Sequence, residues 1–130
     1  MFSPLEIATN YVDIGTKKGK MSATKTLLLG IFAGMFIAFG GIASTAASAT
    51  LEGSMAKVVS GLVFPAGLAM VLMAGSELFT GDNLVIIALL EKKIRFRDLM
   101  KNWVCVFFGN FIGAILVTLL VVYGHSPDMF

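Results

Sequence analysis

Three apolar stretches dominate the chain: residues 26–50 without a charge, 58–90 with only Glu77 and Asp82, and 102–124 without a charge. Each exceeds the roughly 20 residues that a helix needs to cross the hydrocarbon layer. The pattern therefore predicts an all-α membrane protein with three transmembrane elements in one domain, 26–130. The first stretch is too long for the apolar core of a secretory signal, and no small-x-small cleavage site leads from it into a polar region. Ahead of it, in segment 1–25, Ser3-Pro4-Leu5-Glu6 has the form of a capping box with proline at the first helical position. Leu5, Ala8, Tyr11 and Val12 then share one helical face. This amphipathic segment reads as an interfacial helix leading into the membrane, with packing on a neighbouring element as the alternative.

The middle stretch cannot be one straight crossing. As a helix its 33 residues would extend about 50 Å, against about 30 Å of hydrocarbon. A break is expected near 77–82, within Gly75-Ser76-Glu77-Leu78-Phe79-Thr80-Gly81-Asp82-Asn83, where glycines flank two carboxylates. An ordinary surface loop fails on length, because 83–90 is too short to cross before the basic loop arrives. Non-helical backbone at membrane depth is tolerated where it is buried in protein or lines a water-filled path, and acids there are functional candidates. The expected arrangement is a helix, a loop around Leu78, Phe79 and Thr80, and a half-helix from about Asn83 to Leu90. That half-helix would turn its N–H groups toward an approaching anion, with Asp82 or Asn83 as its cap and the Thr80 hydroxyl as a donor. Glu77 is assigned to holding the loop by accepting backbone N–H bonds, with proton handling as the alternative. Phe64 and Leu68, four residues apart on the preceding helix, fit either a hydrophobic constriction or ordinary packing.

Composition agrees with lipid as the solvent: 57% of residues are hydrophobic, 14% are charged, and the mean hydropathy is +0.88. The positions of the cations say more than the net charge of +2. Four of the ten fall between Lys17 and Lys25, five between Lys92 and Lys101, and Lys57 stands alone. Short loops rich in Lys and Arg stay in the cytoplasm, so the N-terminus and the 91–101 loop are expected inside. The 51–57 connection and the end carrying His125 and Asp128 are expected outside. The clustered cations read as topology signals and not as a nucleic-acid surface.

Small residues recur where helices would meet: Gly30, Gly34 and Ala38 in the first stretch, Gly109 and Gly113 in the third. Such spacing lets backbones approach closely, although it also arises by chance in Gly-rich apolar helices. Asn110, inside the second motif, needs an interhelical or cavity partner. Cys105 lies in an apolar run and reads as a lipid- or core-facing thiol. There are no paired metal ligands, catalytic triad or phosphate-binding glycine loop, so no enzyme activity, metal or cofactor is expected.

The motif Gly75-Ser-Glu-Leu-Phe-Thr-Gly81, the basic loop after it, Lys101-Asn-Trp103 and Gly109-Asn-Phe-Ile-Gly-Ala114 together resemble the formate/nitrite transporter family of small-anion channels. The resemblance runs along essentially the whole chain. It implies an aquaporin-like fold of six helices in two inverted halves, a homopentamer in the inner membrane and one pore per subunit. It aligns Leu78, Phe79 and Thr80 with the family's pore loop, and Phe64 and Leu68 with its constriction residues. The chain corresponds to about the N-terminal half of such a protein and lacks the family's pore histidine, a role that His125, past the third stretch, cannot take. It is therefore expected to be a fragment or incomplete chain.

The expected function is channel-type transport of a small monovalent anion such as formate, nitrite or hydrosulfide. The site residues are Phe64, Leu68, Leu78, Phe79 and Thr80 at the pore, with Glu77, Asp82, Asn83 and Asn110 supporting the loop. The alternative is a three-span scaffold whose glycine faces bind partner helices, but a scaffold gives no reason for two carboxylates and a threonine at the break.

Overall fold

The computed structural model describes residues 1–124, with helices and no strand among them; His125 and Asp128 lie outside the described residues. Helix α1, Pro4–Lys20, starts in the expected capping box: Ser3 Oγ accepts the Glu6 N–H at 3.2 Å and Glu6 Oε2 accepts the Ser3 N–H at 2.6 Å. Ser22 caps α2, Ala23–Ser48, by accepting the Lys25 N–H. A second apolar stretch of 22 residues, Gly53–Ala74, comprises α3, Gly53–Val63, and α4, Ala66–Ala74, joined through Phe64 and Pro65. Proline has no N–H to continue the ladder, and Gly67 bonds to the Phe64 carbonyl instead.

At the end of α4, Gly75 adopts the left-handed conformation, φ 65° and ψ 31°, which costs a residue without Cβ little. The chain then passes through residues 76–78 before a short helix α5, Phe79–Asp82, a 3₁₀ turn, Asn83–Val85, and α6, Ile86–Leu90. A tight turn with Lys92 at φ 58° leads to α7, Phe96–Tyr123, whose Asp98 carboxylate accepts the Arg95 N–H. Gly53–Ala74, α2 and α7 are the three helical stretches long and apolar enough to cross a membrane.

Packing in this bundle rests on absent side chains. A Cβ on Gly34 would collide with the Asn110 carbonyl, and one on Gly113 with that of Ile31. On Gly109 it would lie 2.7 Å from the Leu27 carbonyl. The two glycine motifs thus face each other and set α2 and α7 backbone against backbone. Gly40 and Gly67 do the same where α2 meets the start of α4: a Cβ on Gly40 would lie 2.9 Å from the Phe64 carbonyl in the α3–α4 junction, and one on Gly67 2.9 Å from the Phe36 carbonyl of α2. Apolar burial contributes less, since Leu62, Leu72, Phe111 and Leu120 remain exposed, as expected where lipid gives helices no hydrophobic reason to associate. A compact apolar cluster of Val85, Ala88, Ile94 and Leu99 forms at the α1 end. There Gly15 lets α1 close onto Ala88 and Gly19 lets it close onto Ile94.

Gly113→Val should therefore force α7 off α2 and lower stability by about 1–3 kcal/mol or more. Gly41→Ala, whose added methyl meets open space, should leave the melting temperature in detergent unchanged or slightly raised. Equal melting temperatures for Gly113→Val and wild type would refute the backbone contact.

Candidate functional site around residues 75 to 83

The backbone between α4 and α5 leaves donors and acceptors that no helix satisfies, and with Ser76 and Glu77 buried they are paired within the protein. The Ser76 N–H turns back to the Val71 carbonyl at 3.0 Å, and the Glu77 N–H reaches the Leu29 carbonyl on α2 at 3.3 Å. Asn110 of α7 does the rest. Its Oδ1 accepts the Phe79 N–H at 2.8 Å, and its Nδ2 donates to the Glu77 carbonyl at 2.9 Å and to the Gly30 carbonyl at 2.8 Å. One amide side chain thus ties the α4–α5 connection to both glycine-packed helices.

The capping expected of Asp82 or Asn83 is not what these residues do. Helical turns resume at Phe79, four residues before Asn83, and the residue preceding them, Leu78, makes no side-chain cap bond; Asn110 serves the first N–H from another helix. Asp82 is fully buried. Its Oδ1 lies 2.7 Å from Lys18 Nζ, its Oδ2 accepts from Asn102 Nδ2 at 3.1 Å, and its backbone carbonyl accepts from Trp103 Nε1 at 2.9 Å. Glu77 differs from the expectation in the same way: its carboxylate pairs with Lys18 at 3.0 Å and holds no backbone N–H. Two buried carboxylates are thereby offset by one ammonium that only α1 supplies. Tyr11, two turns earlier on α1, donates to the Gly81 carbonyl at 3.1 Å. Burial works against the charge on Lys18, but the hydrogen bonds and charges of Asp82 and Glu77 outweigh it and raise the Lys18 pKa.

The apolar candidates are not brought together: Leu78 and Phe79 line one groove, Phe64 another, and Leu68 neither. Leu78 and Phe79, half-buried, line an apolar groove of about 400 Å³ with Ile37, Phe107 and Phe111. The Phe79 ring meets Phe107 edge-on at 5.5 Å. Phe64 lines a separate groove between α2 and α3, and both Phe64 and Leu68 are nearly half exposed. Thr80 is exposed at the start of α5. Its hydroxyl is engaged in no hydrogen bond among the described residues, whereas Thr9, Thr16, Thr26, Thr45 and Thr118 each donate to the carbonyl four residues back. Asn83 is exposed and its side chain makes no hydrogen bond among the described residues. Sequence reasoning missed Tyr11, Lys18, Asn102 and Trp103. The signals for them were an amide at the entry of the third apolar stretch and a Tyr11–Lys18 spacing of two helical turns.

The sequence profile of the formate/nitrite transporter family matches residues 5–129. The chain belongs to this family. It is 36% identical over 126 residues to the formate channel BtFdhC of Bacillus thuringiensis, covering 94% of this chain and 48% of that protein. It is also 36% identical to the formate channel FocA of Escherichia coli K12, covering 91% and 42%. A probable formate transporter of Methanothermobacter thermautotrophicus is again 36% identical, covering 88% and 44%. The chain spans about half the length of these curated relatives. Family and relatives are transporters and channels, not enzymes, and the apolar helices agree with a membrane location.

In this transporter-family chain, Lys18→Met should strand two buried carboxylates. Breaking a buried pair from one side costs about 3–5 kcal/mol, and adding Glu77→Gln with Asp82→Asn should recover part of the loss. A raised lysine pKa contributes stability that is complete below the ordinary value near 10.4 and is lost as pH rises through the higher folded value. A wild-type versus Lys18→Met melting series should therefore show a gap that shrinks above about pH 10. A gap that persists unchanged above that pH would contradict this attachment.

Proposed function

We propose that the chain is the N-terminal half of a channel for small monovalent anions, with formate as the first candidate and nitrite and hydrosulfide as chemically related ones. The observation that carries this is similarity along most of this chain, and about half of each relative, to proteins named as formate channels from two bacteria and as a probable formate transporter from a third organism. In this reading α3–α4 and α5–α6 are the two parts of one broken crossing, and residues 75–83 are its pore loop. A second, inverted half completes the pore, five such subunits assemble in the inner membrane, and the basic α1 end faces the cytoplasm.

The geometry supports the loop assignment through its economy of hydrogen bonds. The backbone of residues 76–79 is anchored from α2, α4 and α7, while the Thr80 hydroxyl beside it is left unengaged. A donor on a fixed support next to apolar walls suits an anion that must shed water. Leu78 and Phe79, with Phe64 and Leu68, penalise the naked charge, and the Thr80 hydrogen bond or transient protonation eases its passage. The buried Lys18, Glu77 and Asp82 act as support in this scheme and hold α5 in place.

Liposome flux of formate, nitrite and hydrosulfide through the full-length channel tests the proposal, and absence of flux for all three would end it. Thr80→Val keeps the shape and removes one hydrogen bond to a charged partner, about 1.5–3 kcal/mol, so flux or selectivity should change by roughly ten- to a hundred-fold with assembly retained. Phe64→Ala should admit larger solutes. Wild-type flux and selectivity in Thr80→Val would remove Thr80 from the site.

A further inference from the structure

At the bundle end opposite α1, the contact between α2 and α3 is polar where its surroundings are apolar. Ser44 is only 5% exposed, and its Oγ lies 3.0 Å from the Ser60 carbonyl and 2.6 Å from Ser60 Oγ. Ser48, one turn further on, donates to the Ser44 carbonyl at 2.9 Å. These serines, Lys57 and Phe64 line an open groove of about 600 Å³. Along α3 and α4, Lys57, Gly61, Phe64 and Leu68 follow at intervals of four, three and four residues, which places them in one stripe on one helical face. Lys57 stands seven residues, roughly 10 Å, from Phe64.

Counting hydrogens shows what this groove offers. Each hydroxyl has one to give. Ser48 has committed its own to a carbonyl, and Ser44 gives its own to one of the two Ser60 acceptors. When Ser44 donates across the 2.6 Å contact to Ser60 Oγ, the Ser60 hydrogen is free to turn into the groove that Lys57 also lines. Lys57 forms no ion pair among the described residues, and no carboxylate is among the groove's lining residues. Helix contact alone does not call for this arrangement, since α2 meets the start of α4 backbone to backbone at Gly40 and Gly67.

We propose that Lys57 and the Ser60 hydroxyl, with Ser44 positioning the latter, form a capture site that takes a small monovalent anion from solution at this mouth, immediately before the Phe64 constriction. The inference rests on the channel reading above. It adds a specificity-determining pair outside the loop: a charge that attracts the anion and a hydroxyl that replaces part of its hydration shell.

The test is the concentration dependence of formate flux through the full-length channel in liposomes, with formate supplied at the Lys57 mouth. A contact ion pair in water is worth roughly a fivefold change in an equilibrium constant, so Lys57→Gln should raise the half-saturating formate concentration about fivefold. Lys57→Arg should stay near wild type. Ser60→Ala should raise half-saturation in the same direction, and Ser60→Cys, near in size and a weak donor, takes its place if the alanine variant does not assemble. Wild-type half-saturation in Lys57→Gln overturns the site. An effect of Lys57→Gln with none from the Ser60 variant overturns the two-donor arrangement and leaves long-range attraction only. If the wild-type channel itself passes no formate, nitrite or hydrosulfide, the channel reading fails, and that result is distinct from normal wild-type flux with unchanged variants.

Discussion

The structure depends on keeping the backbone polar groups of the α4–α5 connection paired inside the helix bundle, and Asn110 is the residue that meets most of this demand. Its three hydrogen bonds reach α2, the α4–α5 connection and the first N–H of α5. They form only because its own backbone lies against Gly34. With larger residues at Gly30, Gly34, Gly109 or Gly113 the helices would stand further apart, and a side chain as short as asparagine would not span the gap. The glycine motifs and the amide are therefore one device. Close approach supplies the packing contacts that the bilayer does not drive, and the same closeness lets one side chain satisfy a stretch of non-helical backbone.

The second dependence is electrostatic and runs through α1. Asp82 and Glu77 are buried beside one another, an arrangement that is costly without a cation. Lys18 supplies that cation from a helix that is not one of the three long apolar ones. Attachment of α1 and position of α5 are therefore linked: the helix that carries Lys18 also carries Tyr11, which bonds to Gly81, and Gly15 and Gly19, which let it close on the Val85–Leu99 cluster. The two buried acids are thus held in a fixed, hydrogen-bonded setting. The neighbouring Thr80 hydroxyl, by contrast, is engaged in no hydrogen bond among the described residues.

Much of the fold was legible because it follows from local and periodic constraints. The three apolar stretches and the capping box at Ser3 and Glu6 each have a physical cause within a few residues of sequence. The facing glycine motifs were readable as a tendency, and Asn110 was readable as a residue in need of a partner. The roles of Asp82 and Glu77 were misjudged for the opposite reason. A carboxylate next to a helix start is normally a cap, and only a lysine about sixty residues away in sequence diverts both acids to a different task.

By itself, then, the sequence determined the class of molecule and its three long apolar elements, because hydrophobicity and helical period act locally, while motifs such as Gly75–Gly81 and Gly109–Ala114 carried the resemblance to the family. Only the tertiary structure decided which partner each buried polar group takes. It placed Asn110 on the Phe79 N–H, Lys18 between two acids, Asn102 and Trp103 on Asp82, and Ser44 against Ser60. A hydrogen bond or ion pair needs its two atoms within about 3 Å, and that distance between residues remote in the chain is fixed by how closely the helices pack.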